Sequence, residues 1–264
     1  MKASRLLIMS SNSPFEVVTP AVKSAAGGFV SVPRPILISL EGSVGSGKST
    51  LLSALRDLGG HDGLKFHFID EPLDTWTALK NEGGENLLEV FYRDNKRWSY
   101  TFQNCAVLSR FLNIRKAIDN WYREVAVNPD AARSNVFITE RCIETDFNVF
   151  AQMLRDDGCL DGIEWDLYKK WYKLLQDTVR VSAIVYVNTD PEVCIQRIGK
   201  RGRQGEENIP AEYMKRLHEF HLKWIDRMTV PVLQYKNHHT ADSKKTNTVK
   251  DVLAFIKDVR EKEG

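Results

Sequence analysis

Apolar residues in this chain are arranged in two ways: as short segments of four to six residues that are rich in apolar side chains, and as stripes that recur every third or fourth position. Short runs bounded by turn residues predict buried strands, whereas a stripe with helical spacing predicts an amphipathic helix. The runs lie at residues 36–40, 65–70, 136–139, 183–187 and 230–235. The stripes lie just after residue 50 and at residues 85–92, 98–125, 144–155, 164–179, 210–227 and 246–261. Strands alternating with helices predict an α/β fold with a five-stranded parallel sheet and helices on both faces.

Two prolines and one apolar stripe refine this prediction. Pro191 suits the first turn of the helix that follows the fourth strand. Pro231 has no amide hydrogen to donate, so the fifth strand is expected at an edge of the sheet, or to begin at this residue. In the helix over 98–125, the positions expected to face the core are Trp98, Phe102, Cys105, Leu108 and Leu112.

Composition excludes several classes of protein. The chain has 264 residues, 42% of them hydrophobic and 27% charged, which suits one globular domain with a sizeable core. A net charge of +2 gives no indication of a nucleic-acid partner, and no apolar run approaches the length of a membrane span. The four cysteines lie far apart, which predicts neither a zinc site nor disulfides and favours a reducing compartment. We therefore expect a cytoplasmic protein.

Residues 1–35 differ in composition from the rest of the chain. Lys2, Arg5, Lys23 and Arg34 stand against a single acid, Glu16, among several serines and prolines. We expect a disordered N-terminal extension, with a mitochondrial or plastid targeting segment as the alternative. The folded domain is then expected to comprise residues 36–264.

The first predicted strand leads into a glycine-rich loop that fits the phosphate-binding pattern Gly, four residues, Gly-Lys-Ser/Thr. Glycines allow backbone amides to converge on phosphate oxygens, helped by the N-terminus of the following helix. Lys48 can reach the outer phosphates, and the Ser49 hydroxyl can bind Mg²⁺. A mobile surface turn is the alternative. The residues expected to bind a nucleoside triphosphate are Gly42, Ser43, Val44, Gly45, Ser46, Gly47, Lys48, Ser49 and Thr50.

Charged residues directly follow the next two predicted strands, and ligands of parallel sheets bind at that end. Glu71 follows the second strand, where a carboxylate could accept a proton from an attacking hydroxyl. Glu140 and Arg141 follow the third strand. Glu140 could join Ser49 around Mg²⁺, and Arg141 could contact a transferred phosphoryl group. The alternatives are a helix cap for Glu71 and an ordinary ion pair for Glu140 and Arg141.

The helix over 98–125 also carries a polar stripe. Gln103, Ala106 and Arg110 share one face of it, next to the predicted core face. An amide, a small residue and a guanidinium suit a planar polar base, although a solvated helix face would have the same spacing.

A basic segment at residues 197–206 follows a predicted helix and holds three arginines among three glycines. This composition predicts a flexible flap that closes over the triphosphate, with a solvated basic turn as the alternative. Arg197, Arg201 and Arg203 would then neutralise the charge that develops in the transition state.

Together these segments resemble the deoxynucleoside kinase family, which includes deoxycytidine, deoxyguanosine and mitochondrial thymidine kinases and the insect multisubstrate enzyme. The resemblance covers residues 36–262, and its motifs keep the family's order and spacing. Residues 71–76 are similar to the segment of the general base, residues 92–110 to the substrate helix, and residues 201–213 to the lid.

The resemblance implies a P-loop kinase fold with an arginine-rich lid. It implies that the γ-phosphoryl group of ATP is transferred, with Mg²⁺, to the 5′-hydroxyl of a deoxynucleoside. The substrate would be a small molecule, neither nucleic acid nor a membrane would be a partner, and the protein would be a homodimer.

The resemblance also implies roles for individual residues. Glu71 would take the proton of the 5′-hydroxyl, Arg141 would hold that hydroxyl and the phosphoryl group, and Tyr92 with Glu206 would bind the 3′-hydroxyl. Gln103 would pair with the base. The other positions implied around the nucleoside are Trp76, Leu88, Phe102, Ala106, Arg110, Asp146 and Phe150. Ala106, Arg110 and Asp146 match the deoxycytidine and deoxyguanosine branch, which favours deoxycytidine or a deoxypurine as substrate.

The sequence departs from the family pattern in two places, and other functions stay open. Cys142 follows Arg141 where the family has serine, and residues 126–134 indicate a longer loop. A nucleoside monophosphate kinase similar to thymidylate kinase is one alternative, although its Glu-Pro segment normally continues with glycine and here continues with Leu73. A non-catalytic nucleotide switch would need an Asn-Lys-x-Asp motif, which is absent. A DNA-processing ATPase would need a more basic surface.

Overall fold

Five parallel strands form the centre of the fold in the computed structural model, which describes residues 21–23, 29–31, 34–128, 134–203, 206, 209–237 and 242–263. The strands are β1 Ala21–Lys23, β2 Phe29–Ser31, β3 Ile36–Glu41, β4 Gly60–His61, β5 Leu64–Ile69, β6 Asn135–Glu140, β7 Ala183–Asn188 and β8 Val232–Lys236. The main sheet has the order β4-β5-β6-β3-β7-β8. All its pairs are parallel except β4 with β5. β1 and β2 form a separate antiparallel pair.

Helices connect the strands of the main sheet. They are α1 Lys48–Leu58, α2 Leu73–Ala78, α3 Leu87–Arg93, α4 Asn95–Val127, α5 Ile143–Thr145, α6 Gln152–Asp156, α7 Gly162–Leu175, α8 Pro191–Arg201, α9 Ala211–Ile225 and α10 Asp242–Glu263. A π-helical segment, Asp146–Ala151, joins α5 to α6. Among the helices of the described residues, none combines the length and apolarity needed to cross a membrane. All four cysteines are free thiols.

Apolar layers cover both faces of the sheet. Every residue of β3, β6 and β7 is buried because helices pack on both sides of these strands. On one face, Leu55 of α1 and Ile256 of α10 pack with Ile38. On the other face, Trp121 of α4 and Tyr168 of α7 belong to the larger core cluster. This packing fixes the strands, so that their carboxyl ends present their following residues at one edge.

The predicted α/β fold with five parallel strands is confirmed, with small shifts at the strand ends. β8 lies at an edge of the sheet directly after Pro231, and Pro191 occupies the first turn of α8, as expected. The structure adds β4 and α2, which have no sequence signal because β4 has two residues and α2 six. It also adds β1 and β2, which pair with each other inside the N-terminal extension that was expected to be disordered.

The predicted core face of α4 is wrong for part of its length. Phe102 is buried and Trp98 and Cys105 are half-buried, but Leu108 and Leu112 are 38% and 61% exposed. The side of the helix that is buried there carries Gln103, Ala106, Val107, Ser109 and Arg110. The reason is that this side of α4 lines a cavity that contains polar groups, so polar residues are buried on it.

The segment predicted as a flexible basic flap is partly helical. α8 continues through Arg201 and ends at Gly202, whose φ of 60° is left-handed. Arg197 and Arg201 therefore project from a helix. Residues 204–205 of the flap lie outside the described residues, as do residues 207–208 just after it, residues 129–133 of the longer loop and most of the N-terminal extension.

Candidate active site

The glycine-rich loop has the strand-to-helix geometry that its sequence predicts. β3 ends at Glu41 and α1 begins at Lys48, with Gly47 as its left-handed N-cap. Gly42 has a φ of +141°, and a Cβ atom on it would lie 2.6 Å from the carbonyl oxygen of Val187. Only glycine fits this position, because a side chain would collide with backbone of the neighbouring strand. The loop is thereby held against the end of β7.

The Lys48 side chain is buried inside the loop. Its Nζ donates hydrogen bonds to the carbonyl oxygens of Gly42 at 3.1 Å and Ser43 at 2.9 Å. Burial, together with the positive charge of Arg141, lowers the pKa of Lys48 to about 8 against the opposing effect of Glu140. The ammonium group is therefore poised beside the loop amides, where phosphate oxygens bind.

The carbonyl oxygen of Ser46 fixes the outer part of the loop. It accepts hydrogen bonds from Thr189 Oγ1 at 2.9 Å, Arg197 Nη1 at 3.1 Å and Asn237 Nδ2 at 2.7 Å. Arg197, which was expected to neutralise charge on the triphosphate, therefore contacts the loop. Asn237 was missed from the sequence because a single asparagine after an edge strand has no motif around it.

Ser49 and Glu140 meet, as the sequence predicts for a magnesium site. Ser49 Oγ lies 3.2 and 3.1 Å from the two carboxylate oxygens of Glu140. Within the described part of the chain there is no cluster of three or more metal-binding side chains. Mg²⁺ does not require one, because it is usually held by one or two carboxylates together with substrate phosphates and water. The two residues therefore fit Mg²⁺ bound to a triphosphate.

Glu71 lies against two arginines at the carboxyl end of the sheet. Its Oε1 accepts a hydrogen bond from Arg141 Nη1 and lies 3.4 Å from Arg110 Nη2. Burial alone would raise the pKa of Glu71, but the charges of Arg141, Arg110 and Lys48 outweigh it and lower the pKa to about 2. Glu71 is therefore ionised at any physiological pH and can accept a hydrogen bond from a hydroxyl group.

Arg110 and Asp146 form a buried ion pair. Arg110 Nε donates to Asp146 Oδ2 at 2.8 Å and Nη2 donates to Oδ1 at 3.3 Å, while Nη1 donates to the carbonyl oxygen of Glu140 at 2.6 Å. Asp146 begins the π-helical segment, which also carries Phe150. Such segments are frequent at functional sites, and this one directs both residues to the cavity.

Aromatic and apolar side chains of α2, α3 and α4 form the wall opposite the loop. Phe102 stacks on Phe91 with ring centres 4.4 Å apart and packs edge-on against Trp76 at 5.3 Å. Trp76 is fixed by a hydrogen bond of 3.0 Å from its Nε1 to Ser109 Oγ. Gln103 is buried beside them, and its Oε1 accepts no hydrogen bond from any residue that the structure describes.

The buried amide oxygen of Gln103 needs an explanation. An unsatisfied buried acceptor costs free energy, and this one belongs to a side chain that lines a cavity. A ligand with hydrogen-bond donors would satisfy it.

Glu206 joins the basic segment to the cavity. It is buried and accepts hydrogen bonds from Arg201 and from Arg203, the latter at 3.0 Å. Tyr92 lies nearby, edge-on to Tyr213 with ring centres 6.3 Å apart. Burial, followed by the influence of Tyr213 and Glu206, raises the pKa of Tyr92 well above its usual value, so its hydroxyl stays protonated.

One cavity of about 370 Å³ brings nearly all the expected residues together. Of the positions predicted from sequence, only Gly42, Ser43 and Ser46 do not line it, and these act through their carbonyl oxygens. The cavity is also lined by residues that the sequence analysis did not assign to the site: Leu73, Phe91 and Tyr213. Phe91 and Leu73 carry no polar group, so nothing distinguished them from core residues.

Comparisons with known proteins agree with this geometry. The family model for deoxynucleoside kinase matches residues 38–257, which include every residue of the cavity. The chain is 33% identical to a probable deoxycytidine kinase of fowlpox virus over 204 residues, 75% of this chain and 77% of the relative. It is 30% identical to deoxycytidine kinase 1 of Xenopus laevis over 233 residues, 82% and 83% of the two chains. It is 29% identical to a mitochondrial deoxyguanosine kinase of Xenopus laevis over 250 residues, 83% and 90%.

Proposed function

Because this chain belongs to the deoxynucleoside kinase family, and so transfers a phosphoryl group from ATP to the 5′-hydroxyl of a deoxynucleoside, we propose that the transfer takes place in the cavity between the glycine-rich loop and α4. The observation that carries this proposal is the position of Glu71. An ionised carboxylate lies at the carboxyl end of β5, hydrogen-bonded to Arg141 and lining the same cavity as Lys48. Membership of the family decides against a nucleoside monophosphate kinase and a nucleotide switch.

We propose that Glu71 accepts the proton of the 5′-hydroxyl while that oxygen attacks the γ-phosphorus. The carboxylate is ionised, so it orients the hydroxyl by accepting its hydrogen bond before the transfer. Arg141 lies beside Glu71 and also donates a hydrogen bond of 3.2 Å to the carbonyl oxygen of Gly42. Its guanidinium therefore connects the proposed general base, Glu71, with the phosphate loop. It would contact the phosphoryl group as charge shifts between donor and acceptor.

Lys48, the loop amides and the arginines of α8 would bind the triphosphate of ATP. Glu140 contacts Ser49, and these two residues would hold Mg²⁺ on the phosphates. Lys48 lies 3.8 Å from Glu140 and so close to the same position. When bound, Mg²⁺ neutralises negative charge on the phosphate oxygens. Arg197, Arg201 and Arg203 line the same cavity and would supply further positive charge to the phosphates.

The sugar and base would occupy the part of the cavity that α3 and α4 line. Tyr92 and Glu206 suit the 3′-hydroxyl, because one is a protonated phenol and the other a carboxylate acceptor. Gln103 offers an unpaired amide oxygen to a base, while Phe102 and Phe150 supply aromatic surface. A planar, polar base is the ligand that this combination suits.

We propose deoxycytidine or a deoxypurine as the preferred substrate. The buried pair Arg110–Asp146 places charged groups at the base end of the cavity, beside Ala106 and Gln103. Charged and amide groups match bases with an exocyclic amine better than they match the methyl group of thymine. The deoxycytidine and deoxyguanosine kinases among the relatives support the same preference.

A phosphate-transfer assay tests the proposed substrate. Purified protein, Mg²⁺ and γ-labelled ATP are incubated with each of the four deoxynucleosides, their ribose counterparts, dCMP and dTMP. We expect labelled monophosphates from deoxynucleosides, with the highest kcat/KM for deoxycytidine or a deoxypurine. A preference for thymidine would contradict the base assignment, and phosphorylation of only dCMP or dTMP would contradict the placement of the acceptor.

We also propose a homodimer. α4 and α7 pack beside each other, and each exposes apolar side chains at helical spacing: Leu108 and Leu112 on α4, and Ile163, Leu167 and Trp171 on α7. Exposed apolar side chains on two neighbouring helices of the outer layer suit contact with a second copy of the chain. Light scattering should give twice the chain mass of 30.2 kDa, and Leu112→Glu with Ile163→Glu should give one chain mass. A monomeric parent protein would contradict the proposal.

We propose a cytoplasmic location, with a mitochondrial or plastid location as the alternative. The widely spaced cysteines favour a reducing compartment, whereas the serine-rich, acid-poor residues 1–35 and a mitochondrial relative support the alternative. A fluorescent protein fused behind residues 1–35 distinguishes the two, since a targeting segment would direct it to an organelle.

A further inference from the structure

Arg141 has an unusual backbone conformation. Its φ is +64°, in the left-handed region that residues other than glycine, asparagine and aspartate rarely adopt. It is also the residue whose guanidinium contacts both Glu71 and the phosphate loop. Such a conformation persists only where the surroundings hold it.

Three hydrogen bonds hold the backbone on the two sides of Arg141. Its own amide donates to the carbonyl oxygen of Leu40 at 3.0 Å. Its carbonyl oxygen accepts a hydrogen bond of 3.0 Å from Thr139 Oγ1. The next amide, that of Cys142, donates to Oε1 of Glu41 at 3.1 Å. The peptide group after Arg141 is therefore held at one edge by Thr139 and at the other by Glu41.

A glutamate at position 41 costs folding stability. It is fully buried at the end of β3, where its Oε1 also accepts from Ser39 Oγ at 2.5 Å and from Cys142 Sγ at 3.2 Å. Its Oε2 has no partner among the described residues, and burial raises the pKa of the carboxyl group. A buried carboxyl group of this kind costs stability that an apolar side chain of similar size would not. Its place beside Arg141 points to a role in positioning.

We propose that Glu41, with Thr139, is a positioning residue that keeps Arg141 in its left-handed conformation and so directs the guanidinium to Glu71 and the phosphoryl group. This inference rests on the role given to Arg141 under the proposed function. The group that matters is the acceptor oxygen of residue 41, because the bond to the Cys142 amide needs an acceptor and no charge.

Two substitutions of similar size separate these requirements. Glu41→Gln keeps an acceptor oxygen for the Cys142 amide, whereas Glu41→Met removes it and fills the same space with apolar atoms. We expect Glu41→Met to lower kcat by about tenfold or more, since small misplacements of catalytic groups have effects of this order. Glu41→Gln should stay within about threefold of the parent kcat, and the KM for ATP should stay within about twofold in both, because their phosphate loop is intact.

A double-mutant cycle with Arg141→Ala shows whether Glu41 acts through Arg141. Glu41→Met should have little further effect on kcat in a protein that already lacks the arginine. Thr139→Val, which removes the hydrogen bond at the other edge of the peptide, should behave in the same way. Tyr186→Phe is the matched control: its hydroxyl is buried on the strand next to Glu41, with no partner among the described residues, and its removal should leave kcat unchanged.

The outcomes separate this inference from the proposed function. If Arg141→Ala has the parent's turnover, the role of Arg141 itself is wrong. If Arg141→Ala is impaired but Glu41→Met is fully active, or lowers kcat equally with and without the arginine, Glu41 does not position it. Circular dichroism checks folding of every variant, and Glu41→Ala takes the place of Glu41→Met in the cycle if the latter does not fold.

Discussion

The guanidinium of Arg141 donates a hydrogen bond to the carboxylate of Glu71, although the two residues follow different strands and lie far apart in sequence. β5 and β6 are neighbours in the sheet, so the residues that follow them meet at its carboxyl edge. The arginine, with Arg110 and Lys48, lowers the pKa of Glu71 to about 2 against the effect of burial. The carboxylate is therefore ready to accept a proton without first losing one.

The lowered pKa of Lys48 predicts an alkaline limit to activity. With a pKa of about 8, Lys48 is protonated below that pH and loses its charge as the pH rises through it. The kcat/KM for ATP, which reports the free enzyme, should therefore fall above pH 8. The profile of kcat at saturating ATP should fall at a higher pH, because bound phosphates stabilise the ammonium form.

A Lys48→Arg variant is the control for this profile, since arginine stays protonated throughout the range. Its remaining activity should be independent of pH between 7 and 9. An alkaline limb near pH 8 that persists in Lys48→Arg would show that another group titrates.

Removal of the ammonium group should disrupt binding of the phosphates. We expect Lys48→Met to weaken ATP binding and to lower kcat by about 100-fold or more, as when a charged group that stabilises the transition state is lost. Binding of deoxynucleoside should change little, because the hydrogen bonds of Lys48 to the described residues go to the loop and its nearest carboxylate is that of Glu140. Calorimetric titrations with ATP and with deoxynucleoside measure the two separately; an unchanged affinity for ATP would contradict the assignment.

Substitutions at the base end of the cavity should shift the substrate preference towards thymidine. In a triple variant, Ala106→Val, Arg110→Leu and Asp146→Ala, both members of the buried ion pair are removed together, so no unpaired charge remains. The apolar wall should accommodate a methyl group and lose its match to an exocyclic amine. Absolute turnover should fall, because Arg110 also contacts Glu71.

The measurement for this variant is the ratio of kcat/KM values for thymidine and deoxycytidine, which is insensitive to the overall loss. We expect the ratio to rise by about tenfold or more. An unchanged ranking of the substrates would contradict the role of these three residues in base selection.

Much of the fold could be predicted from sequence, because its main signals are local. The strands around Ile38, Ile138 and Val185 are rich in apolar residues because helices bury both of their faces. The loop from Gly42 to Lys48 could be placed because strand, glycines and helix start are contiguous. The positions of Glu71 and Arg141 at the cavity could be predicted because the strand ends of a parallel sheet meet at one edge, while their roles stay predictions.

The errors arose where a polar side chain is buried or an apolar side chain is exposed. On α4, Arg110 is buried because Asp146, which is distant in sequence, neutralises it, whereas Leu112 is exposed. A periodicity argument assigns apolar residues to the core, so it placed Leu112 there wrongly, and it left open whether Arg110 lies on a base-binding face or on a solvated one. Glu41 was overlooked for a related reason. Its side chain accepts a hydrogen bond from the amide of Cys142, which follows the neighbouring strand β6, and no local sequence pattern reveals this contact.

The most direct test of the account replaces Glu71 by glutamine, which keeps the size of the side chain and removes its charge. Asp70→Asn is the matched control, because Asp70 is the preceding residue, is exposed and pairs with Arg56 outside the cavity. Single-turnover transfer from γ-labelled ATP to deoxynucleoside is measured for both variants, together with the affinities for the two substrates. We predict that Glu71→Gln binds both substrates within about threefold of the parent but transfers the phosphoryl group about 1,000-fold more slowly, while Asp70→Asn matches the parent. Transfer by Glu71→Gln within tenfold of the parent rate would contradict the account.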